Sequence, residues 1–351
     1  MRWLLRFSVA LALIVVILGA YTRLVHAGLG CPDWPGCYGF LSVPEAPHEV
    51  DQAELRFPHA PVEAEKAWAE MVHRYFAGTL GLLIFAMAGM ALLQSVRGHS
   101  PGQFLLPGGL AVLVVCQAAF GMWTVTLKLW PQVVTAHLLG GFATLGLLWL
   151  SLVRFGVQPN SDLSRLRGLA LLALILLVIQ ITLGGWASSN YAALACPDFP
   201  TCQGEWWPAA DFVQGFNVTQ HIGPNYLGGL LQSDARIAIH LTHRLGALML
   251  LLVVGLLVYR LGQDRHQRRL AGLLGMLLML QISLGIANVL FGLPLVVAVA
   301  HNAVAALLLL SLITVNYRAF RSTTHSTTHS TRRSTTSTTR SIAIESDTQS
   351  P

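Results

Sequence analysis

Charge is what this sequence has least of. Only 11% of its 351 residues are Asp, Glu, Lys or Arg, against roughly 25% in soluble domains, which excludes an ordinary water-soluble globule. With 54% hydrophobic residues and a mean hydropathy of +0.59, disorder is excluded for all but the tail, and a polytopic membrane protein is what remains. A basic patch is lacking too. The net charge of +6 comes from residues distributed by membrane side, so nucleic acid is discarded as a partner. The first apolar run begins almost at Met1 but has no A-x-A cleavage site before a soluble body, so it reads as a span and not as a removed signal.

Eight runs are long enough for a bilayer core of about 30 Å: approximately 5–24, 69–94, 104–127, 132–154, 167–188, 236–259, 270–291 and 295–317. Lipid offers the backbone no hydrogen-bond partner, so each must be helical. Fifteen of the 22 Lys and Arg, from Arg2 and Arg6 to Arg321, Arg332, Arg333 and Arg340, fall on one side of these spans, while 12 of the 16 acids fall on the other. The excess of cations marks the cytoplasmic side. The expected topology is therefore multi-pass in the inner or cell membrane, N-in and C-in, with long outer loops at about 25–68 and 189–235. Beyond Arg321 lies STTHSTTHSTRRSTTSTTRS, a tract too poor in apolar residues to fold, whose His325 and His329 read as solvated.

The chain is written twice. Shifting it by 165 residues lays Gly19 to Cys37 on Gly184 to Cys202, with CPDWPGC on CPDFPTC. Gln117, Gly121 and His137 answer Gln281, Gly285 and His301, and His73-Arg74 answers His243-Arg244. An even number of spans separates the copies, so they run parallel. The expected fold is all-α, with eight transmembrane helices in two pseudo-symmetric four-helix bundles. Its parts are residues 1–155, a cytoplasmic linker 156–166, residues 167–318, and a disordered tail 319–351.

Each half places one histidine in its second span and one in its fourth: His73 and His137, then His243 and His301. All four fall within about two turns of the outer ends. A lone intramembrane histidine can simply bond a neighbouring helix, but two pairs at matching positions point to function, because polar groups in lipid are costly. Two imidazoles facing each other across an apolar bundle suit axial ligation of haem iron, whereas zinc recruits three or four protein ligands. Arg74, Arg244, Arg23, Lys128 and Arg236 lie at a depth suited to pairing with propionates. The halves differ at Glu70, one turn before His73, which becomes His240 in the second copy. A carboxylate there is either a proton acceptor beside a haem pocket or an acid at a solvated helix start, and spacing does not choose between them.

Read together, GAYTRLVHAGLGCPDWPGC at 19–37, EMVHR at 70–74, AHLLGG at 136–141, HLTHR at 240–244 and AHNA at 300–303 resemble the haem A synthase family. The resemblance covers Met1 to about Arg318. It implies an oxidoreductase acting on a CH3 group, oxidising the C8 methyl of haem O to the formyl of haem A for terminal oxidases. It places the substrate haem near His73 and His137 with Glu70 as the catalytic residue, and a haem b cofactor between His243 and His301. It also implies a haem O synthase partner and an electron acceptor that the sequence does not identify. A non-catalytic dihaem cytochrome fed by quinol explains the four histidines equally well but leaves Glu70 idle.

Cys31 with Cys37 and Cys196 with Cys202 lie on the oxidising side, where each pair can close a small disulfide that stiffens its loop. The resemblance suggests a sharper alternative, in which the first pair takes part in redox chemistry or haem capture. Cys116, in mid-membrane, reads as packing. Gln117 and Gln281 are expected to hydrogen-bond within their bundles, and His240 to bond beside the pocket.

Overall fold

Backbone groups that cannot find water must pair within their own segment, and the described residues accordingly fold into helices. The computed structural model describes residues 2–98, 105–156 and 163–340, with side chains as far as Arg321. His325 and His329 are among the side chains outside that description, and part of the 156–166 linker lies outside it as well. Among the described residues, eight helices are long and apolar enough to cross a membrane. In the first copy they are α1 (Arg2–Leu24), α3 (Ala64–Val96), α4 (Leu105–Thr126) and α5 (Pro131–Gly156). In the second they are α6 (Arg167–Ser189), α8 (Ser233–Gly262), α9 (Arg268–Leu290) and α10 (Leu295–Arg340), whose apolar crossing segment is Leu295–Arg321. The short helices α2 (Pro47–Arg56) and α7 (Phe212–Gly215) belong to the two long connections. The chain is a multi-pass membrane protein.

Local chemistry ends the helices the same way in both copies. His26 and Tyr191 take up left-handed backbone (φ 56° and 55°) just past α1 and α6, and the next amides reach back to Thr22 O at 2.9 Å and Ala187 O at 2.8 Å. Leu129 and Leu293 (both φ 62°) close α4 and α9 through bonds to Thr124 O and Asn288 O. These backward bonds satisfy carbonyls that the last helical turn leaves over.

Packing is consistent with two four-helix bundles. Helix α1 packs on α3 and α5, and α4 packs on both of those, so α3 and α5 occupy opposite corners. In the second copy α6 packs on α8 and α10, and α9 on both, which puts α8 and α10 at opposite corners. The halves join through α5 with α6, α1 with α10, and α5 with α10. At that last crossing a Cβ on Gly146 would come within 2.9 Å of Ile313 Cδ1, so the glycine leaves room for the Ile313 side chain against α5, as is usual where helices meet in lipid. One continuous core runs through both halves, from Leu5 and Leu145 to Leu308 and Val315.

Two span boundaries shift outward. Helices α3 and α8 start at Ala64 and Ser233 rather than near 69 and 236. The reason is visible in α3: Ala67 and Met71 are buried against Tyr38, Val43 and Ala53 of the first long loop, so protein covers the extra turn. Cys116 also departs from expectation. It is exposed on α4.

Candidate functional site

Opposite-corner placement of the histidine-bearing helices decides the geometry. His73 on α3 and His137 on α5 lie close enough to interact electrostatically, as do His243 on α8 and His301 on α10. Each imidazole rests on a glycine of a neighbouring helix. A Cβ on Gly19 would lie 3.0 Å from His73 Cε1, and one on Gly121 3.4 Å from His137 Cε1. In the second half, the corresponding separations are 3.3 Å for Gly184 and His243, and 3.2 Å for Gly285 and His301. A Cβ at Gly19 would press hardest on its ring, those at Gly285 and Gly184 less, and one at Gly121 would sit in ordinary contact. These four glycines were not assigned a role from the sequence, although all four recur in the repeat alignment.

The Nδ1 atoms of His73, His137 and His301 are buried without a hydrogen-bond partner. Orphaned polar atoms in such surroundings are costly, and nothing in the apolar scaffold requires them. Among the described residues no three His, Cys, Asp or Glu form a group that could hold a metal ion; the histidines come in twos. Imidazoles in twos, each set against a glycine, would fit a flat iron macrocycle. His73 and His137 could hold one such group and His243 and His301 another.

Glutamines brace the pairs. Gln117 Nε2 donates to the His137 carbonyl at 3.0 Å, and Gln281 Nε2 donates to His301 Nε2 at 3.1 Å, so both bond within their bundles. Gln180 joins them. Its Nε2 donates to the His243 carbonyl at 2.9 Å and lies 3.1 Å from His243 Nδ1. The first copy has Val15 at that position, so this brace belongs to the second half alone.

Glu70 is buried, at 6% exposure, which removes the solvated-acid reading. Its carboxylate accepts from the Cys31 amide at 2.9 Å and pairs with the Arg74 guanidinium at 2.5 Å. Arg74 in turn donates to the carbonyls of Asp33, at 3.0 Å, and Gly36. One cation thus clamps the CPDWPGC loop and the carboxylate together. The second copy keeps the clamp without the acid: Arg244 donates to Cys196 O at 3.1 Å, Asp198 O at 2.7 Å and Thr201 O at 2.8 Å. His240, replacing Glu70, lies 3.0 Å from Ala192 O through Nδ1, beside the pocket as expected. Arg74 and Arg244 are therefore corrected from propionate partners to loop clamps, because the carbonyl cluster above each has already claimed its guanidinium.

Both cysteine pairs are joined, Cys31–Cys37 and Cys196–Cys202, and all four residues are buried to within 1%. Beyond each disulfide the chain turns through two left-handed residues, Tyr38-Gly39 and Gln203-Gly204. An aspartate organises each turn: Asp33 accepts from the Tyr38 and Gly39 amides at 2.6 and 2.7 Å, and Asp198 from those of Gln203 and Gly204 at 2.6 and 3.0 Å. The Thr201 hydroxyl and the Gly204 and Gln203 amides hold the Asp198 carboxyl down to about 2.

Where the halves meet, equivalent residues touch. The His26 and Tyr191 rings stack at 5.6 Å. Arg23 lies over Tyr191 at 4.2 Å and donates to the Ser188 carbonyl at 2.5 Å, so it too is engaged in protein contacts.

Known proteins are similar in sequence along nearly the whole chain. The chain is 47% identical to the heme A synthase of Shewanella oneidensis over 321 residues, covering 90% of this chain and 96% of that protein. It is 30% identical to the heme A synthase of Methylobacterium radiotolerans, with 88% of each chain covered, and 29% identical to that of Rhizorhabdus wittichii, with 89% and 91% covered. With residues 2–313 matched by the COX15-CtaA family of cytochrome oxidase assembly proteins, the chain belongs to that family.

Proposed function

We propose that this protein is a haem A synthase, an oxidoreductase that converts the C8 methyl group of haem O to the formyl group of haem A by successive hydroxylations. The observation that carries the reading is an asymmetry between matching sites. A buried carboxylate, Glu70, stands one turn outward of His73, where the second half has His240. The name shared by relatives that align along nearly the whole chain supports the same conclusion.

In this reading residues 1–155 form the substrate half and residues 167–318 the cofactor half. His73 and His137 hold the substrate haem O, and His243 and His301 hold haem b. Bound there, haem b supplies one-electron exchange with an external acceptor. Glu70 accepts a proton or orients water at the methyl carbon, the role of a general base. The Cys31 amide and Arg74 fix where its carboxylate stands, and Gly19 and Gly121 leave the imidazoles room to face the interior. The positive-inside asymmetry supports an N-in, C-in orientation with both disulfide loops outside, where an oxidising compartment keeps the cysteines paired. A haem O synthase supplies the substrate.

Glu70→Ala tests the reading. Haem A output in a complementation assay should fall by about 100-fold or more, the scale of general acid–base catalysis, while the haem b spectrum persists. Unchanged output removes Glu70 from the site.

A further inference from the structure

Arg74, Arg244 and Arg23 are occupied by protein carbonyls, which leaves open what receives the carboxylates of a porphyrin held by His243 and His301. A cavity of about 390 Å³ lies at the long-loop end of the second half, lined by Tyr191, Leu194, Pro197, Gln203, Ser233 and Arg236. Arg236 precedes His243 by seven residues on α8. Seven residues turn a helix by two revolutions less about 20° and advance it about 10.5 Å, so the two side chains share a face. The separation is of the order of that between a porphyrin iron and its propionate carboxylates. The opposite wall belongs to the segment just past α6, the helix whose Gly184 backs His243. The cavity lies at the outer end of the α6–α8 contact, and His240, bonded to Ala192 O at 3.0 Å, stands between Arg236 and His243 on the shared face.

Among the described residues, Arg236 is engaged through its Nε alone, which donates to the Leu231 carbonyl at 2.8 Å. Its two terminal nitrogens form the fork that matches a carboxylate. The first half has a cation at the same register, Lys66 before His73, but it is already paired with Glu63 at 2.5 Å.

We propose that Arg236 and this cavity form the carboxylate anchor for the porphyrin of the second half, and that Lys66, paired with Glu63 at the surface, is its weaker counterpart in the first. The proposal rests on the haem reading above and deepens it. A resident cofactor has a dedicated anchor, whereas a substrate that must leave meets a cation already shared.

The test is the rate at which purified protein in detergent loses haem b to excess apomyoglobin. Charge-assisted pairs are the strong hydrogen bonds, so Arg236→Gln should lose haem b about tenfold faster than the parent. Arg236→Lys should fall between them and Lys66→Gln should match the parent. With haem b dimethyl ester in place of haem b, the parent and Arg236→Gln should lose porphyrin at the same rate. Equal rates for the parent and Arg236→Gln with unesterified haem b, both showing a bis-imidazole spectrum, overturn the anchor and leave the haem reading intact. A parent protein with no porphyrin to lose overturns both.

Discussion

The two halves are built from one pattern and differ in a handful of polar positions. Both place histidines on opposite corners of a four-helix ring, back each with a glycine, and clamp a disulfide loop with the arginine that follows the first histidine. Among the described residues, only the first half has a buried carboxylate, Glu70, linked to that clamp. Only the second has Gln180 bracing its histidine. The difference lies in a few polar side chains on a shared scaffold, and a buried charge is worth its cost only where it is paired or used. Glu70 is paired through Arg74 and the Cys31 amide, and those contacts fix a carboxylate close to the site.

The comparison breaks most sharply at the histidines. His243→Ala or His301→Ala should abolish the bis-imidazole haem b spectrum of purified protein, while His73→Ala should leave it; a normal haem b spectrum in either second-half variant removes the division. Next comes the glycine backing. Gly19→Ala places a Cβ 3.0 Å from His73 Cε1, and overpacking of this kind costs about 1–3 kcal/mol. It should weaken haem O retention about tenfold and leave haem b alone, whereas Gly184→Ala should do the reverse. Equal effects on both haems would mean that the halves are not separate sites. Replacing Cys196 and Cys202 by Ser should cost about 2 kcal/mol of stability, the loop-closure value for so short a ring, read as a lower unfolding midpoint. Asp198→Asn should have the smallest effect. The Asp198 carboxyl is held at about 2, below its unfolded value, so its contribution is present at neutral pH, undiminished to about pH 4, and lost toward pH 2. A stability difference from the parent that has already vanished at pH 5 contradicts that assignment.

Hydropathy and the repeat made the eight spans and the paired histidines legible, because lipid imposes a length and a polarity on every crossing. The early starts of α3 and α8 were not legible, since Ala67 and Met71 are apolar against a loop and not against lipid. The clamps were misread for a similar reason. Depth alone cannot tell a guanidinium facing porphyrin from one facing the carbonyls of Asp33 and Gly36. Glycine is common in membrane helices, so Gly19 and Gly184 stood out only by recurring, and their partners became apparent only with the rings set against them. Gln180 could have been found by asking where the copies disagree, the same question that singled out Glu70.

Extraction and identification of the haems in purified protein tests the central claim most directly. The account predicts haem b together with haem O or haem A, the second species lost in His73→Ala and haem b lost in His243→Ala. Two equivalents of haem b alone, or no porphyrin, contradict it.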